Sequence, residues 1–327
     1  MIRDRVPARA VVIFVAVALA LAWAVALPLY FTGGLGNPLT QVVAVGMMAT
    51  PAIAAVLVVR FVDRPQSIPR ELGLWPLRPA RRLFAYLAFA VVIPAVIVLS
   101  ALPIGAWLGV YPADITEFSA FREAFEAQAG GLPLPIPIGV LVALQFVNVV
   151  IGGIVNTIPA LGEELGWRGY LLPKLMPLGA IPAVLISGVT WGLWHAPLLL
   201  LGYNYPSAPG WLAVLMMCGM CILIGAVFGW LRLRSNSVWP PALAHGVFNA
   251  TAGLSLVFAR AGEPIDTVHA TVLGWTGWIV PLVLVATLLA TRSLRRERPA
   301  CIASAPGVRP ANIQIREYSP RQGSSIP

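Results

Sequence analysis

The chain has 327 residues, 58% of them hydrophobic and only 11% charged, with a mean hydropathy of +0.83. That balance excludes a soluble globular domain and points to a polytopic membrane protein, because each crossing helix needs about 20 apolar residues. A net charge of +9 raises nucleic-acid binding as a function. The basic residues lie in short stretches between apolar runs rather than in one patch, so no nucleic-acid partner is expected.

Eight apolar stretches are long enough to cross a bilayer, near 10–31, 39–61, 83–108, 137–161 (running on as helix towards 172), 179–201, 211–231, 238–259 and 272–291. The expected fold is all-α, a membrane bundle of about eight transmembrane helices, since barrel strands would be short and alternating. With these spans, 20 of the 22 basic residues fall on one side, and only Arg122 and Arg260 fall opposite. By the positive-inside rule both termini are cytoplasmic, in a multi-pass protein of a bacterial inner membrane. The basic start of span one resembles a signal peptide, but its apolar run is longer than a typical signal core of about 7–15 residues. A retained span is expected.

In chain order, spans one and two carry no ionisable residue in mid-span and read as scaffold. The loop from Arg60 to Arg82 contains LGLWPL, which suits the membrane interface with Trp75 as anchor and arginines at lipid phosphates. Beyond span three, FSAFREAFEAQ repeats Phe118, Phe121 and Phe125 at i, i+3, i+7, the spacing of a short amphipathic helix that caps the bundle from outside. Span four carries a polar stripe, because Gln145, Asn148, Gly152, Asn156 and Glu163 fall within about 60° of one line at about 100° per residue. Such a stripe faces protein or water rather than lipid.

Span four ends in LGEELGWRGY, two adjacent carboxylates and an arginine in a chain otherwise mostly apolar. Ionisable groups at membrane depth are costly and by default functional. Glu164 and Arg168 are i,i+4 with the acid first, the favourable order for a helical ion pair. Glu163 lies about 100° further round, so Arg168 can hold Glu164 and leave Glu163 for chemistry. Span five places His195 deep in an apolar run, one turn after Trp191. Span six holds Cys218 and Cys221, a CxxC that reads as helix packing rather than a redox or metal pair. In span seven Pro240 and Pro241 suit the first helical turn, and His245 and Asn249 share a face at i,i+4. His269 is given no role. The residues after Arg298 read as a disordered tail, and the last four, SSIP, contain no prenylation cysteine.

Depth brings these groups together. Counted from the cytoplasmic helix ends at about 1.5 Å per residue, Glu163 lies about 14 Å in, His195 about 21 Å, His245 about 11 Å and Asn249 about 17 Å. A buried carboxylate beside a histidine can activate water, and a second histidine with an asparagine amide can donate to a developing oxyanion. That chemistry is hydrolysis of an acyl compound such as a peptide bond. The alternative is a zinc site with Glu163, His195 and His245 as ligands and water in the fourth position, although no HExxH motif supports it. There is no serine or cysteine nucleophile motif.

At these residues the sequence resembles the CPBP intramembrane proteases, the family of CAAX prenyl proteases and bacteriocin-processing enzymes. Its EExxxR, FxxxH and HxxxN motifs read here as Glu163-Glu164 to Arg168, Trp191 to His195, and His245 to Asn249, with Trp191 where phenylalanine is usual. The resemblance covers about residues 140–256. It implies an eight-helix core and endopeptidase activity on a peptide or protein substrate at the bilayer. Glu163 would be the water-activating carboxylate, His195 its assistant, and His245 and Asn249 the oxyanion donors. Glu164 and Arg168 would be in support, and Trp191 and Asn156 are further supporting candidates from their place in the sequence. Glutamate-type and metal-dependent mechanisms are both described for the family, so zinc stays open as a cofactor. The expected organisation is a scaffold over 1–136, a catalytic core over 137–260, a last span over 261–298 and a tail over 299–327. The competing functions are a transporter with a Glu–His proton relay and a non-catalytic membrane scaffold of the same fold.

Overall fold

Helix covers every apolar stretch expected to span the membrane in the computed structural model, which describes residues 5–77, 79–131 and 136–294. Five helical segments are long and apolar enough to cross a bilayer: Ala8–Phe31, Thr40–Asp63, Ala80–Trp107, Ile138–Leu178 and Gly210–Ser235. The other expected spans are occupied by shorter helices. The protein is all-helical and multi-pass, and among the described residues the only β-pairing is an isolated bridge between Ala113 and Ala259. The tail expected to be disordered, 299–327, lies outside the described residues.

The elements run as follows: α1 Ala8–Phe31, α2 Thr40–Met48, α3 Thr50–Val58, α4 Ile68–Glu71, α5 Ala80–Trp107, α6 Ser119–Gln128 and α7 Ile138–Glu164. After them come α8 Leu172–Leu175, α9 Ala180–Trp194, α10 Ala196–Leu199, α11 Gly210–Ser235, α12 Trp239–Ala252, α13 Leu254–Val257 and α14 Ile279–Ala290. Span four does continue past Tyr170, but Leu165–Leu171 is a π-helical turn between α7 and α8. Such wider turns are rare and recur at functional sites. Pro240 and Pro241 open α12, where a missing backbone N–H costs no helical hydrogen bond.

Lipid offers no hydrophobic drive to bring helices together, so close backbone approach at small residues does it. Gly188 and Gly192 of α9 lie against Ile222 and Cys218 of α11, so close that an added Cβ would stand 2.5 Å from either Cα. Gly246 of α12 lies against Gly153 and Thr157 of α7, where a Cβ would fall 2.5 Å from the Gly153 carbonyl oxygen. These contacts hold α9 against α11 and α12 against α7. Gly192→Ala is therefore expected to push α9 off α11 and lower stability by about 1–3 kcal/mol. The melting temperature of the detergent-solubilised protein reads this out, and an unchanged value would show that the contact is slack.

The loop between α3 and α5 is more firmly docked than an interfacial anchor requires. Trp75 is exposed, as expected of an anchor, but Leu72 is fully buried and its carbonyl oxygen lies against Gly169 of the π turn. The Val238 N–H donates to the Gly73 carbonyl at 2.9 Å. Lys174 of α8 pairs with both Asp63, at 2.9 Å, and Glu71. This strap ties the α3–α5 connection to the segment that follows Glu163 and Glu164.

On the opposite side α6 forms as its phenylalanine spacing predicts, and Phe118 and Phe121 pack on Val142, Leu254 and Val257. Asp114 organises its start: the carboxylate accepts the Ser119 hydroxyl and the backbone N–H groups of Thr116, Glu117 and Ser119. The Ser119 hydroxyl foremost, with those backbone donors, holds the Asp114 carboxyl well below the usual carboxylate range. A depressed carboxyl contributes stability that is present above the unfolded value, about 3.9, and is lost as pH falls below it. Asp114→Asn is expected to lower the melting temperature at pH 7, with the gap to wild type closing as the pH falls below about 4. A gap that is the same at pH 7 and pH 3 would contradict this role.

Candidate active site

The expected residues gather where α7, the π turn, α9, α11 and α12 meet. Glu163 and Glu164, adjacent in sequence, have separate partners. Glu164 is fully buried and its Oε1 accepts from Arg168 NH1 at 2.8 Å and from His245 Nδ1 at 2.9 Å. Arg168 therefore holds Glu164, as the i,i+4 spacing predicts. Glu163 is 3% exposed, and its Oε2 accepts the indole N–H of Trp191 at 2.7 Å. It makes no ion pair among the described residues.

Trp191 stands at the centre. The Arg168 guanidinium lies over its ring at 4.1 Å and also 5.3 Å from the centre of the Phe228 ring. The rings of His245 and His195 flank the indole, with centroids 5.4 Å and 6.0 Å away. Gly225 of α11 leaves room for the guanidinium, since a Cβ there would meet Arg168 NH2 at 3.1 Å.

Each histidine has one ring nitrogen engaged. His195 Nδ1 lies 2.9 Å from the Trp191 carbonyl. A carbonyl only accepts, so Nδ1 carries the proton and, in the neutral ring, Nε2 carries the lone pair. The Trp194 ring packs edge-on against His195 at 4.7 Å, and its own N–H donates to Thr50 at 3.0 Å. On His245, Nδ1 is held by Glu164, leaving Nε2 for a further contact.

Two expected members stand outside this network. Asn249 is exposed and makes no hydrogen bond among the described residues, although His245 precedes it by one helical turn. Asn156 donates to the Gly152 carbonyl of its own helix at 2.8 Å, so it does not touch the cluster. The upper part of the polar stripe is open: Asn148 is exposed and contacts Gln145 at 3.4 Å. Two aromatic residues that sequence reasoning passed over belong to the site. Phe228 lies in span six, which reads as plain scaffold, and no charge or motif marks it. Trp167 sits inside the carboxylate motif, fully buried; its indole N–H lies near Glu163 but has no hydrogen-bond partner among the described residues.

Cys218 and Cys221 pack within α11 and both are free thiols, with Cys218 against Gly192. Among the described residues no three of His, Cys, Asp and Glu are grouped as a metal requires. Glu163, His195 and His245 are arranged around an indole ring instead, and no chemical step is derived through a metal.

Residues 140–251 match the family model for type II CAAX prenyl endopeptidases, Rce1-like. A curated relative, CAAX prenyl protease 2 of Methanococcus maripaludis, is 41% identical over 44 residues, which are 13% of this chain and 16% of the relative. The similarity thus spans only about one sixth of that relative's length. The matched span contains all three motifs, from Glu163 to Asn249. This all-helical membrane protein thus carries, over residues 140–251, a segment similar to the type II CAAX prenyl endopeptidases, with all three motifs inside it.

Proposed function

We propose that the protein is an intramembrane endopeptidase in which Glu163 activates the attacking water without a metal. One observation carries this reading: of two adjacent buried glutamates, Glu164 is paired with Arg168, while among the described residues Glu163 makes no ion pair and its Oε1 accepts no hydrogen bond. A carboxylate so placed can take a proton from water. The hydroxide adds to the scissile carbonyl carbon, the C–N bond breaks, and the proton passes from Glu163 to the leaving amine. The products are a carboxylate and an amine, with one water consumed.

The histidines have separate parts in this reading. His195, with its proton on Nδ1, offers Nε2 as an acceptor that orients the water. His245 is pinned at Nδ1 by Glu164, and its imidazolium form donates from Nε2 to the oxyanion. Asn249 joins as a second donor when a substrate covers it, since apo geometry is often looser than the working complex. The substrate is a peptide or protein segment at the bilayer, reached from the arginine-rich side of a bacterial inner membrane.

Cleavage of a quenched peptide library by the full chain in detergent tests this reading, with and without a zinc chelator. Activity is expected to survive chelation unchanged. Activity lost on chelation and restored by zinc would overturn the metal-free mechanism and return the zinc alternative.

A further inference from the structure

Trp191 has two bonds to the site that an aromatic wall does not need. Its indole N–H donates to Glu163 Oε2 at 2.7 Å, and its ring carries the Arg168 guanidinium at 4.1 Å. Arg168 is in turn bonded to Glu164, which holds His245. The chain of contacts runs from His245 through Glu164, Arg168 and Trp191 to Glu163, every member 4% exposed or less. Each link acts on the next. A cation over an indole face draws electron density from the ring and makes the N–H a stronger donor. Polarised bonds in sequence reinforce one another where water is excluded.

The geometry also divides the Glu163 carboxylate. Oε2 is occupied by the indole, while Oε1 accepts no hydrogen bond among the described residues, so one oxygen is held and the other is left for a water. The groups acting on Glu163 are Trp191, His245, Glu164 and Trp167, and among the described residues Trp191 is the one that hydrogen-bonds to it. We propose that Trp191 is a positioning residue: its N–H fixes the reactive carboxylate of Glu163, and the stacked Arg168 couples that hold to Glu164 and His245. A phenylalanine there would keep the stack and lose the hold. The inference rests on the reading of Glu163 as the water-activating group.

The test uses the full chain in detergent, as wild type, Trp191→Phe and Glu163→Gln. Two quantities are read: the kinetics of cleavage of a peptide that wild type cleaves, and the infrared carboxyl band that disappears in Glu163→Gln. Trp191→Phe is expected to lower kcat by about ten- to a hundredfold, the effect of one hydrogen bond to a charged group. KM stays within about twofold, and the Glu163 band shifts. An unmoved band with unchanged kcat overturns the proposal, and so does a raised KM with unchanged kcat, the sign of a substrate wall. Should Trp191→Phe not fold, benzothienylalanine at position 191 keeps the bicyclic shape and replaces N–H by sulfur. The same band shift is then expected, and an unshifted band overturns the proposal. If Glu163→Gln retains full cleavage, the catalytic reading fails, while the band shift still decides whether Trp191 holds Glu163.

Discussion

Glu163→Gln is expected to reduce peptide cleavage by about 10²- to 10⁴-fold, the usual contribution of a positioned general base. The substitution is nearly isosteric. The glutamine side-chain oxygen can still accept the Trp191 N–H, so the packing around the indole survives. What is lost is the capacity to take a proton from water, which matters only in the transition state. The loss should therefore fall on kcat and leave KM close to wild type. Melting temperature should also hold, because Glu163 contributes no ion pair among the described residues. Measured beside wild type on the same peptide, equal activity of the two proteins would sink the glutamate mechanism. A transporter or a non-catalytic scaffold would then be the better reading of the same fold. A transporter would show proton-coupled flux in proteoliposomes, abolished by the same substitution, and a scaffold would show neither activity.

The helical membrane bundle is legible because the apolar runs are long enough to cross a bilayer. The Glu164–Arg168 pair is legible because helical spacing dictates it, and it survives the π turn that sequence does not reveal. That His195 and His245 come near one another is legible from counting residues, but their ring partners are not. His245 bonds to Glu164, on the helix that Gly246 approaches closely at Gly153 and Thr157. Asn249 shows the limit of face arguments. Its i,i+4 relation to His245 is correct, but neighbouring helices cover one and leave the other open. Trp191 reads in sequence as a larger phenylalanine; only coordinates show that its extra nitrogen meets a carboxylate. Phe228 is illegible because an aromatic among apolar residues carries no signal until a guanidinium is found over it.

Arg168→Met is expected to be the most destabilising single change at the site, by about 3–5 kcal/mol, the cost of stranding a buried charge. Both side chains of the Arg168–Glu164 pair are 2% exposed or less, so solvent screens neither. Removing the guanidinium leaves the Glu164 carboxylate with His245 as its one remaining partner and Oε2 unpaired among the described residues. It also removes the cation from between Trp191 and Phe228, a contact worth about 0.5–2 kcal/mol. Arg168→Lys should recover little, because an ammonium on a flexible stem cannot stack on the indole while bonding Glu164. The informative partner is the double variant Arg168→Met with Glu164→Gln, in which neither charge is left alone. Thermal unfolding of the detergent-solubilised variants should place the double variant above Arg168→Met alone, with a coupling energy of about 1–3 kcal/mol. A double variant no more stable than the single would mean that the arginine acts through packing alone. The double variant should nonetheless remain slow in cleavage. Restoring charge balance does not restore the cation over Trp191, so the indole N–H is a weaker donor to Glu163 even in a well-folded protein. Stability and activity would thus separate in one variant, which is the outcome expected if Arg168 serves the fold through Glu164 and the chemistry through Trp191.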